Sequence, residues 1–325
     1  MNRWPPRPTL SPSFYKGHGL GNDYLVFEEG DGWVATPENV RRVCDAHVGV
    51  GADGVVVHLH GADRSTPGEA RVELRMFNPD GGEFERSGNG LRILASFLAS
   101  SDAELRVVHA GVGGGRVRMD VHGRSGPVYD VSVEMGRAGI GPDAVGLDPT
   151  TLELDPTALE TDSAAGGDRA HVVWTIHGPD GAGLQIVPVS VGNPHLVVLA
   201  ESGEADVFSE SALQTIGPFL ATHPALRHDA NVQLATMTER EGVRAFIWER
   251  GVGRTAASGT SACAVAVAMV ATGRLPAGSI TVSMPGGELQ VAVDEELTVV
   301  LRGPVEEILD GRLREALLAT FERAP

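Results

Sequence analysis

Two stretches of this chain are variants of one pattern. Phe77 to Phe97 reads FNPDGGEFERSGNGLRILASF, and Trp248 to Val270 reads WERGVGRTAASGTSACAVAVAMV. Each passes through a small-residue cluster into an apolar run: Ser87-Gly88-Asn89-Gly90 in the first, Ser258-Gly259-Thr260-Ser261 in the second. Leu91, Leu94, Ala95 and Leu98 recur at helical spacing, so the first cluster opens a helix with Ser87 just before it. The first amides of a helix lack internal acceptors and sit at the positive end of its dipole. Such a start is a seat for a carboxylate or phosphate.

An earlier pair keeps the same spacing. Gly21-Asn22-Asp23-Tyr24-Leu25-Val26 and Gly192-Asn193-Pro194-His195-Leu196-Val197 lie 171 residues apart (22 to 193), as do the two serines (87 to 258). The same shift sets Asn78 opposite Glu249. Two matches at one offset, in the same order, argue for two related halves rather than chance likeness between glycine-rich turns. A repeat this long is a duplicated domain, not a solenoid, and 325 residues suit two domains.

The formal net charge of −17 repels nucleic acid and anionic lipid, and no basic cluster offsets it. No run of 18 apolar residues is present to span a membrane. The first residues, MNRWPPRPTLSPS, lack the apolar core of a secretory signal and read as an extended tail. Cys44 and Cys263 are the only cysteines, which excludes a disulfide framework and fits a reducing cytoplasm.

Along the chain, Tyr15 to Phe27 reads as a glycine-rich turn entering a strand. Its glycines precede a strand, the reverse of a dinucleotide fingerprint. Thr36 to His47 is a predicted helix, capped by Thr36, with Pro37 at its first position and Cys44 on its buried face. His58 and His60 alternate on one strand face but lack a third ligand, so no metal site is expected. Leu105 to Val133 alternates like strands. Asp143 to Gly167 reads as a linker or surface insertion. Ser209 to Phe219 is a predicted helix, Ile280–Met284 and Leu289–Val293 a hairpin, Leu297–Leu301 a strand, and Arg312–Arg323 an amphipathic last helix.

Two helix starts, each with a small proton-bearing side chain, suit a carboxylate held between two acid/base groups. Positioned amides stabilise the negative charge that builds when a proton leaves the neighbouring carbon. Racemases and epimerases need such a pair, one group on each face of that carbon. His195 and Glu249 are candidates to take a proton from the paired residues, and Arg250 to hold a second anionic group in fork geometry. Against this stand a satisfied core histidine and a surface Glu249–Arg250 pair. No serine-hydrolase elbow, C-x-x-C or H-E-x-x-H motif occurs.

The stretches KGHGLGNDYLVF, FNPDGGEFERSGNGLR, VGNPHLVV, ANVQL and WERGVGRTAASGTSACA together resemble diaminopimelate epimerase, a cofactor-independent family related to proline racemase. The resemblance covers about Phe14 to Gly311. It implies an α/β (α+β) fold of two pseudo-symmetric domains, each a curved, mostly antiparallel sheet around a central helix, with the active site in the cleft between them. The expected limits are a disordered tail over 1–13, a first half over 14–135 with 305–325 packed on it, and a second half over 136–304. The resemblance also implies a cytoplasmic amino-acid isomerase of lysine biosynthesis with no cofactor and no metal, a small amino-acid or carboxylate substrate, and a possible homodimer.

Residue by residue, Asn22, Asn78, Asn193, Asn231, Glu249 and Arg250 match family positions that hold the substrate's amino and carboxylate groups. Gly88, Asn89, Gly259 and Thr260 match the helix-start amides that grip the carboxylate at the reacting centre. His195 matches the histidine that helps poise the catalytic pair. The departure is that the family's two catalytic cysteines align with Ser87 and Ser258. A thiol titrates near 8.5 and is readily lowered at a helix start, whereas a serine hydroxyl needs an adjacent base. Cys263 lies five residues into its helix and does not replace the thiol. Arg254 is a second departure that would add positive charge near the site. Three readings follow: an epimerase working through Ser87 and Ser258, an allylic isomerase or dehydratase of a more acidic carboxylate, and a binding protein that has lost the chemistry.

Overall fold

The computed structural model describes residues 6–84, 87–151, 153–154, 172–200, 208–238 and 242–322. The chain divides into two compact units, Met1–Glu134 with Arg302–Pro325, and Met135–Leu301.

In the first unit, Thr9–Gly19 and Asn22–Glu29 form an antiparallel hairpin across a two-residue turn, with Gly19 opposite Asn22. Both turn residues have positive φ, 55° at Leu20 and 88° at Gly21, the backbone a tight hairpin needs. The chain then runs through the Pro37–Cys44 helix to Val55–Asp63, which lies parallel to Asn22–Glu29. Glu69–Phe77 returns antiparallel. The Gly88–Ser100 helix leads to Val107–Val112, parallel to Glu69–Phe77, and Gly115–Ser125 closes a hairpin with it. Parallel neighbours require a crossover, and the helices supply it.

The second unit repeats this order. Gly183–Ser190 pairs antiparallel with Pro194–Leu199. The Glu210–Ala221 helix crosses to Asn231–Met237, parallel to Pro194–Leu199. Val243–Glu249 returns antiparallel. The Gly259–Ala271 helix crosses to Gly278–Met284, parallel to Val243–Glu249, and Gly287–Val293 closes a hairpin. Both central helices have 13 residues, and their starts, Gly88 and Gly259, keep the 171-residue offset. The same sequence of parallel and antiparallel pairings in each unit is the structural form of the duplication.

Each central helix is buried on all sides, with 11 of its 13 residues buried. A helix buried this fully has to be enclosed, and in the first the polar stripe of Asn89, Arg92 and Ser96 is itself buried and hydrogen-bonded. Gly88–Ser100 packs on Thr9–Gly19, Asn22–Glu29, Val55–Asp63 and Gly115–Ser125 among other strands of its unit, and Gly259–Ala271 on at least six of its own. The Ala, Ser and Val content of the second lets those strands approach closely.

Several elements differ from the sequence expectations. The tail over 1–13 is a strand from Thr9, with Leu10 fully buried; its prolines are compatible because the strand pairs irregularly there. Tyr15 to Gly21 is strand and hairpin rather than a loop, since Gly17 and Gly19 are places where other groups come close. The predicted helix over 36–47 ends at Cys44, where Asp45 turns extended. The expected final helix over 312–323 is one turn, Glu315–Leu318. It is preceded by a strand, Thr298–Arg312, whose far end pairs with Ser13–His18. The apolar spacing of Leu313, Leu317 and Phe321 serves instead to pack on the Leu10, Phe27 and Trp33 cluster. In the expected linker, Pro142–Val145 is a short helix and Pro149–Thr151 a 3-10 turn. Residue 152 and residues 155–167 of that stretch lie outside the described residues, as does the side chain of His60.

The Glu210–Ala221 helix rests on Val243–Glu249 through Gly217, where an added Cβ would lie 2.9 Å from Trp248. Gly217→Ala would gain about 1 kcal/mol of helix propensity, but the overpacking costs about 1–3 kcal/mol. The variant is expected to be less stable in urea unfolding; equal or greater stability contradicts this packing.

Candidate active site

In the first unit the site begins at a buried ion pair. Arg75 donates through Nε and Nη2 to the two carboxylate oxygens of Glu83, each at 2.7 Å, with side-chain exposures of 9% and 1%. This fork holds the short strand Glu83–Phe84 against Met76 and Phe77, and so sets where the chain enters the helix. Ser87 is the N-cap, with extended φ/ψ of −132° and 119°, and its Oγ accepts from the Gly90 N–H at 3.0 Å. The N–H groups of Gly88 and Asn89 precede the helix's own hydrogen-bond ladder.

Asn22, at the first residue of its strand, faces this helix start. Its Oδ1 accepts from Asn89 Nδ2 at 2.8 Å, and its own Nδ2 donates to Asp53 at 2.7 Å. Asn89 Oδ1 accepts from Arg92 Nη2 at 2.8 Å, and Arg92 Nη1 donates to the Pro304 carbonyl at 3.3 Å. An added Cβ at Gly19 would run into Asn89 Oδ1, so this approach requires glycine. Asn78 lies in an exposed turn, its N–H donating to Gly82 O at 2.8 Å.

In the second unit Ser258 has the same backbone, φ −151° and ψ 127°, but makes no side-chain cap bond. Its Oγ lies 3.5 Å from Thr260 Oγ1. The two serines are thus placed alike and bonded differently. His195 is fully buried. Its Nδ1 receives Gln233 Nε2 at 3.0 Å, its Nε2 meets Asn193 Oδ1 at 2.9 Å, and Gln233 Nε2 also reaches Ser261 Oγ at 3.0 Å. Burial above all, with the Arg250 charge adding, lowers the His195 pKa to about 3. The ring is neutral, and both its nitrogens are engaged away from Ser258.

Asn231 joins two segments: its Nδ2 donates to Pro194 O at 3.1 Å, and its Oδ1 accepts from the Arg250 N–H at 2.9 Å. Glu249 Oε1 accepts from Thr255 Oγ1 at 2.9 Å. The exposed Arg250 spends one guanidinium hydrogen on Asp229 O at 3.2 Å. Arg254 forms a surface ion pair with Glu210, at the first turn of the Glu210–Ala221 helix. Cys44 and Cys263 are buried and unbridged, and burial pushes the Cys44 thiol up to about 12.

The family model described as diaminopimelate epimerase matches residues 14–140 and 187–308. A diaminopimelate epimerase of Synechococcus elongatus is 33% identical over 316 residues, covering 94% of this chain and 100% of that protein. One from Desulforudis audaxviator is 34% identical over 310 residues, covering 92% and 98%. The chain belongs to the diaminopimelate epimerase family. Its fold is also that of a probable proline racemase from Agrobacterium radiobacter, with a TM-score of 0.61 at 16% identity over 94% of this chain and 93% of that one. The α/β fold of two related domains, expected from sequence, is the fold of this family.

Within the family frame the structure corrects one assignment. His195 is not placed as a proton acceptor for Ser258, because burial makes it a weak base and its nitrogens bind Asn193 and Gln233. Asn231 links Pro194 to Arg250 with one of its two amide hydrogens and its Oδ1. Asp53, Arg92, Gln233 and Ser261 were missed. Spacing held the signal for some: Asn89 and Arg92 are three apart on one helix, Ser258 and Ser261 likewise, and Asn231 and Gln233 share a strand face.

Two measurements follow. Ser87→Ala loses a cap bond and is expected to cost about 1 kcal/mol, against a few tenths for Ser258→Ala, in urea unfolding; equal losses contradict the asymmetry. The lowered His195 pKa means that the unfolded chain takes up this proton first. Its contribution to stability is present above about pH 6.5 and falls toward pH 3, by up to about 1.4 kcal/mol per unit. Between about pH 6 and pH 4 the wild type should lose stability more steeply than His195→Gln, and equal slopes contradict a buried neutral ring.

Proposed function

We propose that this chain is a cofactor-independent amino-acid epimerase or racemase that moves a proton at the carbon beside a carboxylate, with Ser87 and Ser258 as the two proton-bearing groups. The observation that carries this is the repeated helix start, a serine N-cap with matching extended backbone before a 13-residue buried helix in each unit. The family relatives are named as diaminopimelate epimerases, which makes a diamino dicarboxylate the first substrate to test.

In this reading the amides of Gly88 and Asn89, with those of Gly259 and Thr260, hold the carboxylate and stabilise the charge that spreads into it on deprotonation. One serine, ionised to the alkoxide, takes the proton from one face and becomes the hydroxyl, while the other serine gives its hydroxyl proton to the opposite face and is left as the alkoxide, so the charge is conserved. Asn193 supplies a side-chain donor, and Arg250 keeps most of its guanidinium for a distal anionic group. Asn22 has one amide hydrogen left, and Glu249 has already accepted Thr255. Asn78 stands at an exposed turn where only the distal end of a substrate would meet it. A reducing cytoplasm suits two buried, unbridged cysteines. Among the described residues no helix is long and apolar enough to cross a membrane.

A second reading is favoured by one observation: among the described residues neither serine hydroxyl is hydrogen-bonded to a carboxylate or imidazole. An unassisted hydroxyl suits a carboxylate whose C–H is already more acidic, as in an allylic isomerisation.

Solvent deuterium exchange separates the readings. Incubation in D2O with diaminopimelate stereoisomers, proline and unsaturated carboxylates should label the carbon beside the carboxylate, or the allylic carbon, of one class. Ser258→Ala should slow exchange by about 100-fold or more. Ser87→Cys with Ser258→Cys should raise exchange with diaminopimelate. Absence of label from every candidate, in protein with native circular dichroism, contradicts both readings.

A further inference from the structure

We propose that Gln233 is a positioning residue that, through His195, fixes the Asn193 side chain with its NH2 group turned outward as a donor; the use of that donor for substrate rests on the function proposed above. The three residues sit on neighbouring parts of one sheet. In the parallel register of Pro194–Leu199 with Asn231–Met237, His195 lies opposite Asn231 and Val197 opposite Gln233. Gln233, His195 and Ser261 are each 0% exposed. No water reaches them to exchange one partner for another, so the direction of each hydrogen bond has to be consistent with the next.

The direction follows from counting donors and acceptors. A neutral imidazole has one N–H and one bare nitrogen. The Gln233 amide nitrogen donates one hydrogen to His195 Nδ1 and the other to Ser261 Oγ, both at 3.0 Å. The ring proton is therefore on Nε2, which donates to Asn193 Oδ1 at 2.9 Å. This leaves Gln233 Oε1 as the buried atom with no partner. Turning the Gln233 amide over would strand its NH2, with two unmet donors in place of one unmet acceptor, which costs more. With its oxygen held by His195, Asn193 presents only N–H groups outward.

The counterpart in the other unit is wired differently. Asn22 has its oxygen held by Asn89 and one amide hydrogen taken by Asp53. The two asparagines at matching places in the repeat are therefore unequal donors, and Asn193 is the one with both hydrogens available.

Two-bond 15N–1H correlation spectra of the ligand-free protein read the chain directly. In the wild type the His195 ring should carry its proton on Nε2 alone, and the Asn193 side-chain amide should be ordered. In Gln233→Met, which keeps the volume but removes the donor, an Nδ1–H tautomer should appear and the Asn193 amide order parameter should fall from about 0.85 to below about 0.6. A wild-type proton on Nδ1, or an unchanged tautomer and order in folded Gln233→Met, overturns the proposal. If that variant does not fold, the wild-type tautomer decides alone. Neither spectrum depends on turnover, so this failure is distinct from a failure of isotope exchange.

Discussion

Enclosure of a helix with 11 of its 13 residues buried is the constraint on which each unit depends. Residues 88–100 and 259–271 offer water almost nothing, so sheet has to cover them on every side. The first amides of each helix and its N-cap side chain lie together at one end, where the helix dipole and amides outside the helix's own ladder favour an anion. In the first unit the hairpin also brings Asn22, at the start of its strand, to that same end, where it bonds Asn89.

The duplication fixes positions without fixing bonds. Ser87 caps its helix through Oγ, while Ser258 leaves its helix amides uncapped and lies beside Thr260. Asn22 is held by Asn89, which Arg92 holds in turn; Asn193 is held by His195, which Gln233 holds. In the repeat Arg92 falls opposite Cys263, and Asn89 opposite Thr260, so the first unit keeps a buried cation where the second keeps a small thiol. The matching positions of the two units are therefore chemically unequal.

The halves, their order and both helix starts were legible in the sequence, because small residues followed by apolar runs leave a trace that survives divergence between the repeats. The bonds around them were not. Nothing local in Gln233 says that it will face His195, since their contact depends on a parallel register between strands 38 residues apart. The Arg75–Glu83 fork likewise depends on two strands pairing, which no local pattern announces. The C-terminal stretch misled for a physical reason: Leu313, Leu317 and Phe321 carry helical spacing, yet the preceding strand runs to Arg312 and these side chains pack on the Leu10, Phe27 and Trp33 cluster around a single turn. His195 read as reactive because a histidine beside a glycine-rich turn resembles a base, and only its complete burial turns it into a fixed link.

The function proposed above requires that both serine N-caps serve one carboxylate. A crystal structure with diaminopimelate bound tests it most directly. The account predicts one substrate carboxylate receiving hydrogen bonds from the amides of Gly88 or Asn89 and of Gly259 or Thr260, with Ser87 Oγ and Ser258 Oγ on opposite faces of the adjoining carbon. A carboxylate held by one helix start alone, with the other serine remote from that carbon, contradicts it.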